Sequence, residues 1–193
     1  MYKYIGGVIV SNKVKGSLLL VLAAMIWGSS FIVMKSAVDF LTPNVLLFIR
    51  FSLATVIMSI MFYKYIKDTK LKDLKGGMIT GTCLFLAYLV QTLGLTMTTP
   101  GKNAFLTAVY CAIVPFLVWI FYRKRPDNYN FMAAVLCVLG VGLVSLDGDL
   151  SINMGDLLTL IGGLFYAFHI LAIKKYSKEM HPIKLTTLQF AMT

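Results

Sequence analysis

Acidic residues are scarce in this chain, with eight Asp and Glu against 18 Lys and Arg in 193 residues. None of the eight lies in the middle of a long apolar run, so paired carboxylates for general acid–base chemistry are missing, and no carboxylate carrier for proton coupling is visible. There is no His-Glu-x-x-His, no Gly-x-Ser-x-Gly and no glycine-rich phosphate loop, which argues against an intramembrane enzyme and against direct use of ATP. Cys83, Cys111 and Cys137 fall singly in separate apolar runs and read as buried small apolar residues, not a disulfide set or a metal site. Neither a metal nor a cofactor is expected. Period-two alternation is also missing, which excludes a membrane barrel and leaves helices.

What the chain has in abundance is apolar length. Hydrophobic residues make up 59% of it and mean hydropathy is +0.81, where a soluble domain holds roughly 45–50% apolar residues. Five uncharged runs, 16–34, 76–101, 103–122, 128–146 and 157–173, reach the length that a spanning helix needs, and 44–63 does so apart from Arg50. A last stretch, 183–193, covers about half a membrane at roughly 1.5 Å per residue. The fold class predicted is therefore all-α: a polytopic transmembrane helical bundle of six spans and part of a seventh.

The net charge of +10 would suggest nucleic acid in a soluble protein, but its placement points elsewhere. Fifteen of the basic residues lie before span one or in the loops after spans two, four and six. Only Lys35 and Lys102 lie in the loops between, and Arg50 lies within a span. By the positive-inside rule the N-terminus is cytoplasmic and the protein multi-pass in the cell membrane, its partners a lipid bilayer and a small-molecule substrate, with no nucleic acid. A homodimer is left open. Span one is too long for a signal-peptide core and has no small-residue cleavage site behind it.

The chain also repeats itself. Aligning Gly16 with Gly155 places Leu18-Leu19 on Leu157-Leu158, Lys35 on Lys174, Pro43 on Pro182 and Phe51 on Phe190 without a gap. Trp27 then meets Tyr166, Ser30 meets His169 and Arg50 meets Gln189. Five spans per repeat is an odd number, so the second copy enters the membrane from the opposite side. This divides the chain into a cytoplasmic tail (1–15), a first five-helix repeat (16–148) and the start of a second (152–193), which is unfinished at Thr193. Inverted repeats meeting around a midplane site are an architecture of secondary transporters.

The run Ala-Ala-Met-Ile-Trp-Gly-Ser-Ser-Phe at 23–31, followed by Lys35, Thr42-Pro43 and Arg50, resembles the opening of the EamA family in the drug/metabolite transporter superfamily. Gln91-Thr92-Leu93-Gly94-Leu95, then Thr99-Pro100-Gly101-Lys102-Asn103-Ala104-Phe105-Leu106-Thr107-Ala108, Pro115 and Arg125-Pro126 extend the likeness over 16–193. The resemblance implies a ten-helix transporter of two inverted repeats that moves small metabolites across the cytoplasmic membrane. Its central cavity would be lined by helices one, three, four and six and their counterparts. Lys124 stands where the family often has Glu, and about four of the family's helices lie outside this chain.

Candidate residues follow from polarity at membrane depth. Trp27 lies inside span one, away from both aromatic belts, and reads either as helix packing or as cavity wall; Ser30 lies one turn on. Arg50 lies roughly 10 Å into span two by the helical rise and is a gate charge or a snorkelling structural one. Tyr88, Gln91, Asn103, Thr107 and Tyr110 give spans three and four polar faces that could converge on substrate or bond between helices. In span six, Tyr166 is a cavity candidate and His169 either a proton relay or an interhelical hydrogen-bonding group. The small-residue faces, Gly77 and Gly81 in span three and Gly155, Thr159, Gly163 and Ala167 in span six, read as packing surfaces. The functional expectation is a secondary transporter of an amino acid or similar amphiphile working by alternating access. A non-transporting membrane scaffold or an inactive fragment is the alternative.

Overall fold

The computed structural model describes residues 3–5, 8–10, 12–145 and 153–193. In chain order they form β1 (Lys3–Ile5), β2 (Val8–Val10), α1 (Asn12–Val38), α2 (Pro43–Met61), α3 (Tyr63–Ile66), α4 (Leu71–Met97), α5 (Pro100–Thr107), α6 (Tyr110–Tyr122), α7 (Asn128–Ser145), α8 (Met154–Tyr176) and α9 (Pro182–Ala191). Five stretches are long and apolar enough to cross a membrane: Val14–Val38, Pro43–Met61, Leu71–Met97, Pro100–Tyr122 and Met154–Tyr176. They coincide with spans one, two, three, four and six. Asn128–Val144, the fifth predicted span, is a shorter apolar helix, and the outer loop expected at Asp147-Gly148-Asp149 lies outside the described residues.

Three local features depart from expectation. The N-terminal tail contains an antiparallel pair, Lys3 opposite Val10 and Ile5 opposite Val8, so the chain is not purely helical. Gly6-Gly7 between short β-branched runs is a hairpin signal that a reading by charge alone passes over. Pro100-Gly101 reads in sequence as a tight turn, but the turn before α5 is made by Thr98 and Thr99, both extended, while Pro100 and Gly101 already belong to the helix. Proline suits the first helical position because its missing N–H would have no partner there, and the Thr99 hydroxyl accepts from the Lys102 amide at 3.3 Å. Pro115 predicts a kink near the middle of span four, whereas the helix breaks upstream at Ala108-Val109, with tightened bonds from Val109 N to Leu106 O and from Cys111 N to Ala108 O.

The centre of the bundle is the antiparallel pair α4 and α8. Glycines let the two backbones touch: a Cβ on Gly94 would meet the Gly155 carbonyl oxygen at 2.6 Å, and one on Gly155 would meet the Gly94 oxygen at 2.7 Å. On α4, Gly77 and Gly81 also receive Leu188 and Gln189 of α9 and Met192 just after it. The small-residue faces are packing surfaces, as expected where apolar tails surround the helices and close contact has to supply the attraction. Asn153 locks the joint, accepting from the Gly155 amide at 2.8 Å and donating to the Met97 carbonyl at 2.9 Å.

These contacts also fix directions. The start of α8 lies at the end of α4. The end of α1 lies there too, because the Lys35 ammonium donates to the Leu95 and Thr96 carbonyls at 2.8 and 3.2 Å. Lys35 thus caps the C-terminus of α4 where the helix dipole favours a cation. Helix α8 therefore runs opposite to α1, and α9, parallel to α4, runs opposite to α2. At the other end of the bundle the basic loop before α4 meets the turn before α9, where Tyr65 stacks on His181 at 4.4 Å and Lys184 pairs with Asp73 at 3.2 Å.

The cysteines correct an expectation. Cys111 is exposed on α6, and Cys83 and Cys137 are half-buried, all three free thiols. Apolar faces of α1, α2 and α7 are likewise exposed within the chain, and such faces are at ease only against lipid or another apolar helix.

Candidate functional site

The candidate residues divide into two linked sets around Tyr166. The first is polar and wholly buried. The Gln91 amide donates to Thr107 Oγ1 at 2.7 Å and its Oε1 accepts from the Tyr166 hydroxyl at 2.9 Å. Asn103 Nδ2 donates to Thr159 Oγ1 at 2.7 Å and to the Gln91 carbonyl at 3.1 Å, while Thr107 donates to the Asn103 carbonyl at 2.7 Å. Gln91, Asn103 and Thr107 fall on one face because α4 folds back on α5 through a two-residue turn. Tyr166 and Thr159 reach them because Gly162 lets α8 approach the backbone of Ala87 and Gln91. Thr159 was expected only as a packing residue; its place in the network could not be read from its own helix. One acceptor, Asn103 Oδ1, is buried with no partner, and such groups cost stability unless something fills them.

The second set is aromatic. Trp27 approaches Tyr110 with ring centroids 6.3 Å apart, Tyr110 approaches Tyr166 at 6.0 Å, and Tyr166 meets Tyr88 edge-on at 5.4 Å. The chain of rings continues through Phe51, 5.2 Å from Tyr88, to Phe190. Arg50 turns inward onto this wall, its guanidinium carbon 4.7 Å from the Tyr88 centroid and Nη1 2.9 Å from Met34 Sδ. A cation over a ring face is held by the ring quadrupole. Among the described residues Arg50 has no carboxylate partner.

Trp27, Thr107 and Tyr110 line a cavity of about 180 Å³ between α1 and the broken helix α5–α6. Ala108, at the break, belongs to its wall. A larger groove of about 810 Å³ lies between α2, α4 and α9, walled by Phe51 and Phe190, with the buried Thr55 hydroxyl unpartnered beside it. Two candidates stand apart. Ser30 bonds back to the Trp27 carbonyl of its own helix at 2.6 Å, and His169 pairs with Gln189 Oε1 at 2.9 Å, joining α8 to α9. Asp156 lies in the first turn of α8 and is fully buried, its Oδ1 accepting from Thr98 at 2.6 Å. Its signal was the Asn153 cap three residues earlier.

Spanning helices with exposed apolar faces around a polar and aromatic interior define a polytopic membrane protein. The chain belongs to the EamA-like transporter family, whose model matches residues 14–146. An uncharacterized transporter of Archaeoglobus fulgidus is 33% identical over 184 residues, covering 95% of this chain and 57% of that protein. A second from the same organism is 29% identical, covering 92% of this chain and 64% of its own length. The uncharacterized transporter YrdR of Bacillus subtilis is 27% identical over 73% of this chain and 47% of its own. The chain thus spans about half to two thirds of the length of these curated relatives. No solved structure matches it.

Proposed function

We propose that the protein is a secondary transporter that moves a small amphiphilic metabolite, an amino acid or a molecule like it, across the cytoplasmic membrane by alternating access. The observation that carries this reading is the chain of ring contacts Trp27–Tyr110–Tyr166–Tyr88 from four different elements, with Gln91 bonded to Tyr166 and Arg50 over Tyr88. Neutral hydrogen-bonding groups set among aromatic faces suit a substrate that is part apolar and part polar. Residues 16–148 are the first repeat and 152–193 the start of an inverted second. Support for the inversion comes from the opposed directions of α1 and α8 and of α2 and α9, and from Pro43 and Pro182, each at the first turn of its helix after an extended cap. The gathering of the basic loops at one end supports a cytoplasmic N-terminus.

The polar groups of Gln91, Thr107 and Tyr166 are bonded to one another, which also favours the reading of a scaffold that binds nothing. Purified protein in liposomes, offered a panel of labelled amino acids and other small amphiphiles, separates the two. Transport requires protein-dependent flux of at least one compound that saturates and that Gln91→Ala impairs. Absence of flux across the whole panel leaves the scaffold.

A further inference from the structure

The seam between α4 and the pair α8–α9 is held in two different ways along its length. At Gly81 and Gly94 of α4 it is backbone against backbone: a Cβ on Gly81 would meet the Gln189 carbonyl oxygen at 2.8 Å, as one on Gly94 would meet that of Gly155. At the basic end it is side chain against side chain. Tyr65 of α3 stacks on His181, the N-cap of α9, with centroids 4.4 Å apart and planes at 25°. Lys184, in the first turn of α9, donates to the Asp68 carbonyl and pairs with Asp73, both at 3.2 Å. A hollow of about 390 Å³ lies between the two sides and leaves these side chains room to move. The positions equivalent to Met180, His181 and Lys184 in the first copy of the repeat are Leu41, Thr42 and Val45. The turn before α2 has the same extended cap followed by proline, yet it offers neither a ring to stack nor a cation to pair. The contacts at the basic end are therefore not needed to build the turn.

We propose that Tyr65, Asp68 and Asp73 on one side and His181 and Lys184 on the other form a releasable clasp, and that the glycine crossings are the fixed joint about which the basic end opens and closes. A single stack and an ion pair within reach of water are each weak. Their release leaves the open state as a minor population, on the order of 0.1–10% for a gap of a few kcal/mol. Backbones pressed together at glycine lose many dispersion contacts at once when they part, so the crossings hold while the clasp opens. Such a device has its use in a protein that works by alternating access, and it rests on that reading.

Electron paramagnetic resonance distances between spin labels test it, on the full chain in liposomes with Cys83, Cys111 and Cys137 replaced by Ala. Labels at Lys67→Cys and Lys178→Cys, both exposed, span the clasp, and labels at Thr99→Cys and Leu157→Cys, also exposed, span the far end of the seam. The clasp pair is expected to show a major short and a minor long separation, and the far pair a single one. Lys184→Met, which removes the charge and keeps the stem, should raise the ratio of long to short about two- to fivefold. Tyr65→Ala should raise it at least as much, whereas Tyr65→Phe keeps the ring and should leave it unchanged. One separation at the clasp in every variant overturns the proposal. So does a parallel change at the far pair, which would mean general loosening, or a Tyr65→Phe that acts like Tyr65→Ala. Flux of the labelled panel is measured on the same liposomes. Two separations without flux of any compound would sink the transport reading while the opening motion stands; flux with one fixed separation would sink the clasp while transport stands.

Discussion

The rings of Phe51 and Phe190 meet with centroids 5.7 Å apart, and the two residues hold equivalent positions in the repeat of the sequence. Equivalent residues that touch each other lie where an axis relating the two copies would pass. Tyr110 similarly stands between Trp27 and Tyr166, another equivalent pair, 6.3 Å from one and 6.0 Å from the other. If the Phe51–Phe190 contact joins the repeats energetically, Phe51→Ala and Phe190→Ala are non-additive. The expected coupling is about 0.5–1.5 kcal/mol in a double-mutant cycle of unfolding. Additivity within about 0.3 kcal/mol would show that the rings are only neighbours.

Tyr166→Phe removes the one donor to Gln91 Oε1 without changing the shape of the core. Hydrogen bonds between spanning helices average about 0.6 kcal/mol, with a maximum near 1.7, so the loss should fall in that range. Gln91→Ala is expected to cost more, about 1–3 kcal/mol, because it leaves the Tyr166 hydroxyl buried without its acceptor, takes the amide donor from Thr107 and opens a void. Equilibrium unfolding in mixed micelles measures both. Equal losses would mean that the network does not centre on Gln91.

Much of this was legible in the chain. Length and hydropathy place the spans, because a helix in lipid must satisfy its own backbone and cannot be short. Gln91, Asn103, Thr107 and Tyr110 stood out as polar at membrane depth. That Tyr166 and Thr159 complete their hydrogen bonds was not legible, since it depends on how closely α4 and α8 approach, and glycines far apart in sequence decide that jointly. Nor was the break at Ala108-Val109, since Pro115 announces a distortion in span four but not the turn in which it falls.

Glycine substitutions separate close approach from mere smallness. Gly94→Ala puts a methyl 2.6 Å from the Gly155 carbonyl oxygen, a backbone atom with no room to yield. A destabilisation of about 1–3 kcal/mol is expected from such overpacking. Gly28→Ala has no neighbouring atom within 4 Å and should be neutral or slightly stabilising through helix propensity. Thermal unfolding of the two variants side by side is the measurement, and a tolerated Gly94→Ala would show that α4 and α8 do not pack this closely.

Orientation follows from charge and is open to chemistry. Lys67 and Asp39 are both exposed, on loops at opposite ends of the bundle. In a background with Cys83, Cys111 and Cys137 replaced by Ala, Asp39→Cys should react with a membrane-impermeant maleimide in intact cells, and Lys67→Cys only after the membrane is opened. The reverse pattern would invert the topology, and equal labelling of both would indicate mixed insertion.

Asp73, buried, and Lys184, half-buried, form an ion pair at the basic end, but the two residues are not equivalent. Asp73 Oδ2 accepts from Lys184 Nζ at 3.2 Å and also from the Lys70 amide at 3.0 Å, so the same oxygen pairs with α9 and caps the first turn of α4. A carboxylate there is further favoured by the N-terminal dipole of α4. Lys184 also donates to the Asp68 carbonyl, yet its ammonium can reach water along a flexible stem. Asp73→Ala, which removes the ion pair and also uncaps a helix, should cost about 1–2 kcal/mol. Lys184→Ala should cost clearly less, because Asp73 keeps its cap and the dipole. The charge swap Asp73→Lys with Lys184→Asp is expected not to restore stability, since it sets a cation at the start of α4. Full recovery in the swapped protein would mean that the pair acts by its own attraction and that the cap contributes nothing.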